Sequence, residues 1–156
     1  MKALLLGSVL SLLLVSLLGC KPNDTFRVEG KASDPLIRTR ENDPELAAAV
    51  AEAKRTVSKF VEAYQKKGKG DDVFLIKKGF PATVGQLEHI WIEVQSYDGS
   101  TFTGKVGNDP YNVPGLKKDD VVKVKPSEAT DWLYVKDGKT IGGMAEQVLA
   151  KRSEKK

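Results

Sequence analysis

One cysteine and one histidine in 156 residues leave little material for thiol or metal chemistry. Cys20 has no second thiol with which to pair, so the chain forms no internal disulfide, and a cysteine-ligated zinc site is excluded too. His89 is equally alone, whereas hydrolytic zinc sites draw on two or three histidines. No Gly-x-Ser-x-Gly elbow and no glycine-rich phosphate fingerprint occurs. The aspartate-rich turns Asp71-Asp72, Asp119-Asp120 and Asp137-Gly138 lack the regular oxygen spacing of a calcium loop. No metal and no cofactor is expected. Acids and bases nearly balance, with 25 Lys and Arg against 21 Asp and Glu, and they are interspersed. A nucleic-acid partner, which requires a clustered basic surface, is not expected.

Only one long apolar run is present, Ala3 to Leu18, behind the single base Lys2. It is short for a membrane span, which takes about 20 residues, and suits the core of a secretory signal. The ending Leu17-Leu18-Gly19-Cys20 resembles the bacterial lipobox, in which a small residue precedes a cysteine that becomes the lipidated N-terminus. Leu18 is bulkier than the Ala, Ser or Thr usual at its place. The expectation is a signal peptide over 1–19, lipid (including palmitate) on Cys20, and a membrane lipoprotein facing the periplasm or cell exterior. Lys21, where an Asp would direct retention at the inner membrane, favours the outer membrane of a Gram-negative cell.

Residues 20–42 hold Pro22, Gly30, Pro35 and many charges without a sustained period, and read as a flexible tether. Its apolar exceptions are Phe26, Val28, Leu36 and Ile37. A chain of this length reaches roughly 25 Å, enough to clear lipid headgroups.

Asp43-Pro44-Glu45 announces a helix, with an acidic N-cap, proline in the first turn and a carboxylate favoured by the dipole. Leu46, Val50, Ala53, Val57, Phe60, Val61 and Tyr64 make its apolar stripe, and Lys66-Lys67-Gly68 its stop. Beyond it the period changes from helical to alternating. Strands are expected over 73–78, 87–96, 101–106, 120–125, 132–136 and about 140–141, with turns at Tyr97-Asp98-Gly99-Ser100 and Asp137-Gly138. In the second of them Ile90, Ile92 and Val94 share one face, and His89, Trp91, Glu93 and Gln95 the other. Met144 to Arg152 reads as a closing helix before the charged tail 153–156. The fold class is therefore α+β: an N-terminal amphipathic helix on a curved, mainly antiparallel sheet of about five or six strands, with a short C-terminal helix, over residues 43–152.

The succession Glu88-His89-Ile90-Trp91, Phe102-Thr103-Gly104, Asn108-Asp109-Pro110, Leu116 to Val122, Asp131-Trp132 and Gly142-Gly143 resembles the bacterial family called domain of unknown function 2314, or YegJ-like. The resemblance covers about residues 45–150. Members more often carry Gly-Asp where this chain has Asp119-Asp120. The resemblance implies no activity and no catalytic residue.

Candidate site residues follow from the side chains alone. His89 near Glu88, Glu93 or Asp131 has the composition of a general base with its carboxylate. Trp91 and Trp132, if they share a sheet face, would floor a concave ligand site rimmed by His89, Asp131 and Tyr134; both rings can equally be core. Gly142-Gly143 reads as a tight bend before the last helix. The favoured function is a non-catalytic binding or accessory module of the cell envelope, with a protein, peptide or glycan as its partner. A small hydrolase or transferase using His89 is the alternative, and an immunity or inhibitor protein a third.

Overall fold

A computed structural model describes residues 27–31, 34–38, 43–67, 73–83 and 85–153. The signal segment, Cys20, Lys21, the stretch 68–72 and residues 154–156 lie outside the described residues.

The segment expected to be an irregular tether contains a hairpin. Strand β1 (Arg27–Lys31) pairs antiparallel with β2 (Asp34–Arg38), from Arg27 opposite Arg38 to Lys31 opposite Asp34. The register sets Val28 opposite Ile37. The sparse hydrophobic pattern concealed this pairing.

Helix α1 (Pro44–Lys66) begins as its sequence dictates. The Asp43 carboxylate accepts the N–H groups of Glu45 and Leu46, both at 3.1 Å, and Pro44 occupies the first turn without a lost donor. Its fully buried line is Ala49, Ala53, Thr56, Phe60 and Tyr64, with Val57 and Val61 on the flanks. Thr56 enters this line because its hydroxyl donates to the Glu52 carbonyl at 2.7 Å, which satisfies the buried oxygen.

Six strands follow: β3 (Phe74–Pro81), β4 (Leu87–Tyr97), β5 (Phe102–Val106), β6 (Val121–Val124), β7 (Ala129–Lys136) and β8 (Lys139–Gly142). They form one open antiparallel sheet in the order β6-β5-β4-β3-β7-β8, and the 3-10 turn Pro126–Glu128 links β6 to β7. Placing β3 between β4 and β7 brings the two ends of the domain together at the centre of the sheet. Helix α2 (Met144–Ser153) closes the chain.

Helix α1 covers one face of the sheet. Ile76, Ile92 and Trp132 lie in one row across β4-β3-β7 and are buried beneath it. Phe60 sits at the centre, its ring 5.6 Å from Phe74, 5.4 Å from Phe102 and 5.8 Å from Trp132. Such edge-on and tilted pairs contribute about 0.5–1.5 kcal/mol each beyond the area they bury. The Trp132 indole N–H donates to the Ala53 carbonyl at 3.0 Å, tying the helix to β7.

Asp119 has φ of 69°, in the left-handed region where glycine is at ease. This chain carries a side chain there. At the domain's outer corner Arg152 of α2 reaches back to Asp43 at 2.6 Å and to Glu45 at 2.6 Å, joining the last helix to the first.

Candidate functional site

The residues singled out from sequence divide between the two faces of the sheet. Trp132 and Tyr134 lie on the α1 face, where Tyr134 stacks on Phe74 at 5.2 Å and Trp132 is 3% exposed. Trp91 and Asp131 lie on the other face, each opposite Lys77 of β3. The two tryptophans thus do not share a floor. The cause is register: Trp132 pairs with Ile76 and Trp91 with Lys77, and neighbouring residues of one strand point to opposite sides. Trp132 belongs to the core, and Trp91 is half-buried on the far side.

On that far face Lys77, His89, Trp91 and Asp131 come together. The Lys77 ammonium lies 4.4 Å from the Trp91 ring centroid and is paired with the Glu146 carboxylate of α2. A cation held over an indole is stabilised by the ring's negative face. The His89 Nδ1 is 2.9 Å from Thr130 Oγ1, and that hydroxyl donates to the Lys77 carbonyl at 3.3 Å. A hydroxyl has one proton to give, so where Thr130 donates to the Lys77 carbonyl, His89 is the donor at Nδ1 and keeps its lone pair at Nε2. The residue is exposed at the surface, with one side of its ring against β3 and β7. Its pKa is nonetheless lowered, by desolvation first and by the Lys77 charge second, which keeps the ring neutral at neutral pH.

Among the described residues, no carboxylate is hydrogen-bonded to His89. Glu88, its sequence neighbour, points to the other face and accepts the N–H groups of Tyr111 and Asn112, both at 2.7 Å. Those bonds fix the long loop between β5 and β6. Asp131 is fully buried and accepts three backbone N–H groups: Trp132 at 2.8 Å, Met144 at 3.0 Å and Ala145 at 2.9 Å. Burial pushes its pKa upward, while these bonds and the Lys77 charge oppose the shift. Glu93 shares the His89 face, two residues beyond Trp91 and opposite Lys105. Among the described residues, no three His, Cys, Asp or Glu side chains converge as metal ligands.

Gly142-Gly143 forms the expected bend. Gly142 has φ of 91°, and a Cβ there would stand 2.2 Å from the Trp132 carbonyl oxygen. The bend lets β8 turn directly into α2 and aims the helix N-terminus at Asp131, so the amides that could receive an outside anion hold an internal one. Between α2 and the β7-β8 hairpin runs a groove of 320 Å³, lined by Leu133, Thr140, Gly142, Gly143, Glu146, Gln147 and Ala150.

Lys77, Thr130 and Glu146 escaped sequence reading. Lys77 offered the one signal, a base one step beyond the apolar run Phe74-Leu75-Ile76 of a strand that becomes central.

Comparison with known proteins places these features in context. A family model described as "Uncharacterized protein conserved in bacteria (DUF2314)" matches residues 43–156. The chain is 30% identical over 114 residues to the uncharacterized protein YegJ of Escherichia coli (strain K12), a match that covers 72% of each. It is 29% identical over 62 residues to a putative ankyrin repeat protein of Neisseria meningitidis serogroup B, covering 40% of this chain and 24% of that one. No solved structure matches.

Proposed function

The chain belongs to the DUF2314 family of conserved bacterial proteins, and from that premise we propose that it is an envelope lipoprotein whose folded domain is a non-catalytic binding module. The observation that carries this reading is that Glu88 and Asp131, two of the three carboxylates considered for His89, each hold backbone N–H groups, while the third, Glu93, lies opposite Lys105. The hydroxyl beside His89, Thr130 Oγ1, donates to the Lys77 carbonyl, and a His-Thr pair with no carboxylate to orient it is a poor catalytic centre. What the far face offers is a surface. It presents Leu87, 57% exposed, with His89, Trp91 and Glu93 along β4 and Lys105 beside them.

The anchor rests on Cys20 and the apolar segment before it. In this reading attachment falls to the lipid on Cys20; no helix of the described residues is long and apolar enough to cross a membrane. A single acyl chain holds a protein only marginally, and two or more hold it stably.

Two measurements test the reading. Full-length protein expressed with a palmitate analogue should take up label and sediment with membranes, and Cys20→Ser should lose both; unlabelled protein, or a variant that stays on the membrane, overturns the anchor. Tagged protein solubilised from envelopes should retain a specific partner that Trp91→Ala loses. Identical retention by Trp91→Ala, with the fold intact by circular dichroism, removes this face as the binding surface.

A further inference from the structure

Helix α2 is attached to the rest of the domain in an unusual way for a closing helix. Of its ten residues only Ala145 is buried; Met144, Val148 and Leu149 are half-buried. The polar attachments are three, two in the first turn and one near the free end. Its first amides bind Asp131, Glu146 binds Lys77, and Arg152 binds Asp43 and Glu45. One flank stands away from the β7-β8 hairpin across the groove described above. The residue before the helix, Gly143, has φ of 70°, and a Cβ there would meet nothing closer than 3.6 Å. A turn at this residue breaks one backbone hydrogen bond, from the Gly143 N–H to the Trp132 carbonyl at 2.8 Å, and meets no side chain of its own.

These features lead us to infer that α2 is a releasable cover: it swings away as one unit about Gly143 while α1 and the six-stranded sheet stay folded. Loss of the cover exposes Lys77, Asp131 and Leu133, which lie in rows with Trp91 and Glu93. The open strip on β4 then extends across β3 to β7. Glu146 acts in the closed form as an internal occupant of Lys77, so a partner that presents a carboxylate to that ammonium would favour the open form. This consequence rests on the binding reading above; the opening itself does not.

The physical argument is one of cooperativity. Ordinary fraying of a terminal helix proceeds residue by residue from its free end. Here the free end is pinned by Arg152 on Asp43 and Glu45, so fraying cannot begin without breaking that attachment, and part of a ten-residue helix is too short to persist without its packing. The Arg152 pairs are partly exposed and weaken with salt, whereas the Lys77 end of the other pair is nearly buried.

Amide hydrogen exchange on the full-length chain in detergent micelles tests this without a partner, and so fails or succeeds independently of the binding reading. The amides of Val148 to Arg152 should exchange with one shared protection factor, at least ~100-fold below those of Ile76, Ile90 and Ile92. Arg152→Ala should lower the α2 value a further ~5-fold and leave the strands unchanged, and raising the salt concentration should act in the same direction. Protection that rises steadily from Ser153 towards Val148 means simple fraying and overturns the inference. Protection equal to that of the strands means that α2 opens only with the whole domain, and overturns it as well.

Discussion

The carboxylate of Asp131 accepts the N–H of Ala145 at 2.9 Å, so a residue in a β-strand caps a helix that begins thirteen positions later in the chain. The arrangement joins two short motifs, Asp131-Trp132 and Gly142-Gly143, into one device. The glycine pair packs its backbone on Trp132, where Gly143 N–H donates to the Trp132 carbonyl at 2.8 Å. Asp131 then receives the helix amides on the opposite side of the same strand. One residue of the dipeptide thus completes the core beneath α1, and the other fixes α2.

Removing that carboxylate leaves the N–H groups of Trp132, Met144 and Ala145 without their acceptor. Asp131→Ala should cost about 2–3 kcal/mol, the range for charged hydrogen bonds and a lost cap together. Urea denaturation followed by tryptophan fluorescence reads this directly. Asp131→Asn keeps one acceptor oxygen and should fall between the two; a loss under about 0.5 kcal/mol for the alanine variant, the size of an ordinary surface change, would show that water replaces the carboxylate at no cost.

Much of the fold was legible because it is written in local patterns. Asp43-Pro44-Glu45 names its own cap, and the alternation of Ile90, Ile92 and Val94 names the buried face of β4. The helix stripe was read slightly rotated, since Thr56 looks polar until its hydroxyl is seen bonded to the Glu52 carbonyl. The candidate site was less legible. Whether Trp91 and Trp132 share a face depends on how β4 and β7 register against β3, and β7 carries a bulge opposite Lys77 and Lys78. A register shift of one residue inverts every facing, and no run within either strand encodes it. Lys77, Thr130 and Glu146 are close only because three separate elements meet, so composition around each gave no sign of the others.

Backbone conformation supplies a paired prediction. Gly142→Ala meets both a positive φ and a contact at 2.2 Å with the Trp132 carbonyl oxygen, which is backbone and cannot give way. It should destabilise by more than about 3 kcal/mol, beyond the 1–2 kcal/mol of the left-handed conformation alone. Asp119→Gly removes a side chain from the same region at φ of 69° and should be neutral to stabilising by up to about 1 kcal/mol. Thermal or urea unfolding of the two variants checks the opposed signs. If Gly142→Ala unfolds like the unaltered protein, the bend has another accessible conformation.

His89 supplies the pH dependence. Desolvation and then the Lys77 charge hold its pKa below the ordinary histidine value of 6.5, so the folded protein binds this proton less readily than the unfolded chain. The stability this group contributes is therefore fully present above about pH 6.5 and declines as the pH falls through 6.5 towards the lower folded value, because the unfolded state takes up the proton first. A proton NMR titration of the single imidazole should give a midpoint under 6.5. Lys77→Met removes the neighbouring charge while keeping the bulk of the side chain, and should move the midpoint upward without carrying it past 6.5, since desolvation remains. A midpoint at or above 6.5 in the unaltered protein would mean that the ring stands in water and not against β3, and would remove the reason for its neutral, Nδ1-protonated form. An unchanged midpoint in Lys77→Met would leave desolvation as the sole cause and place the ammonium too far from the ring to act on it.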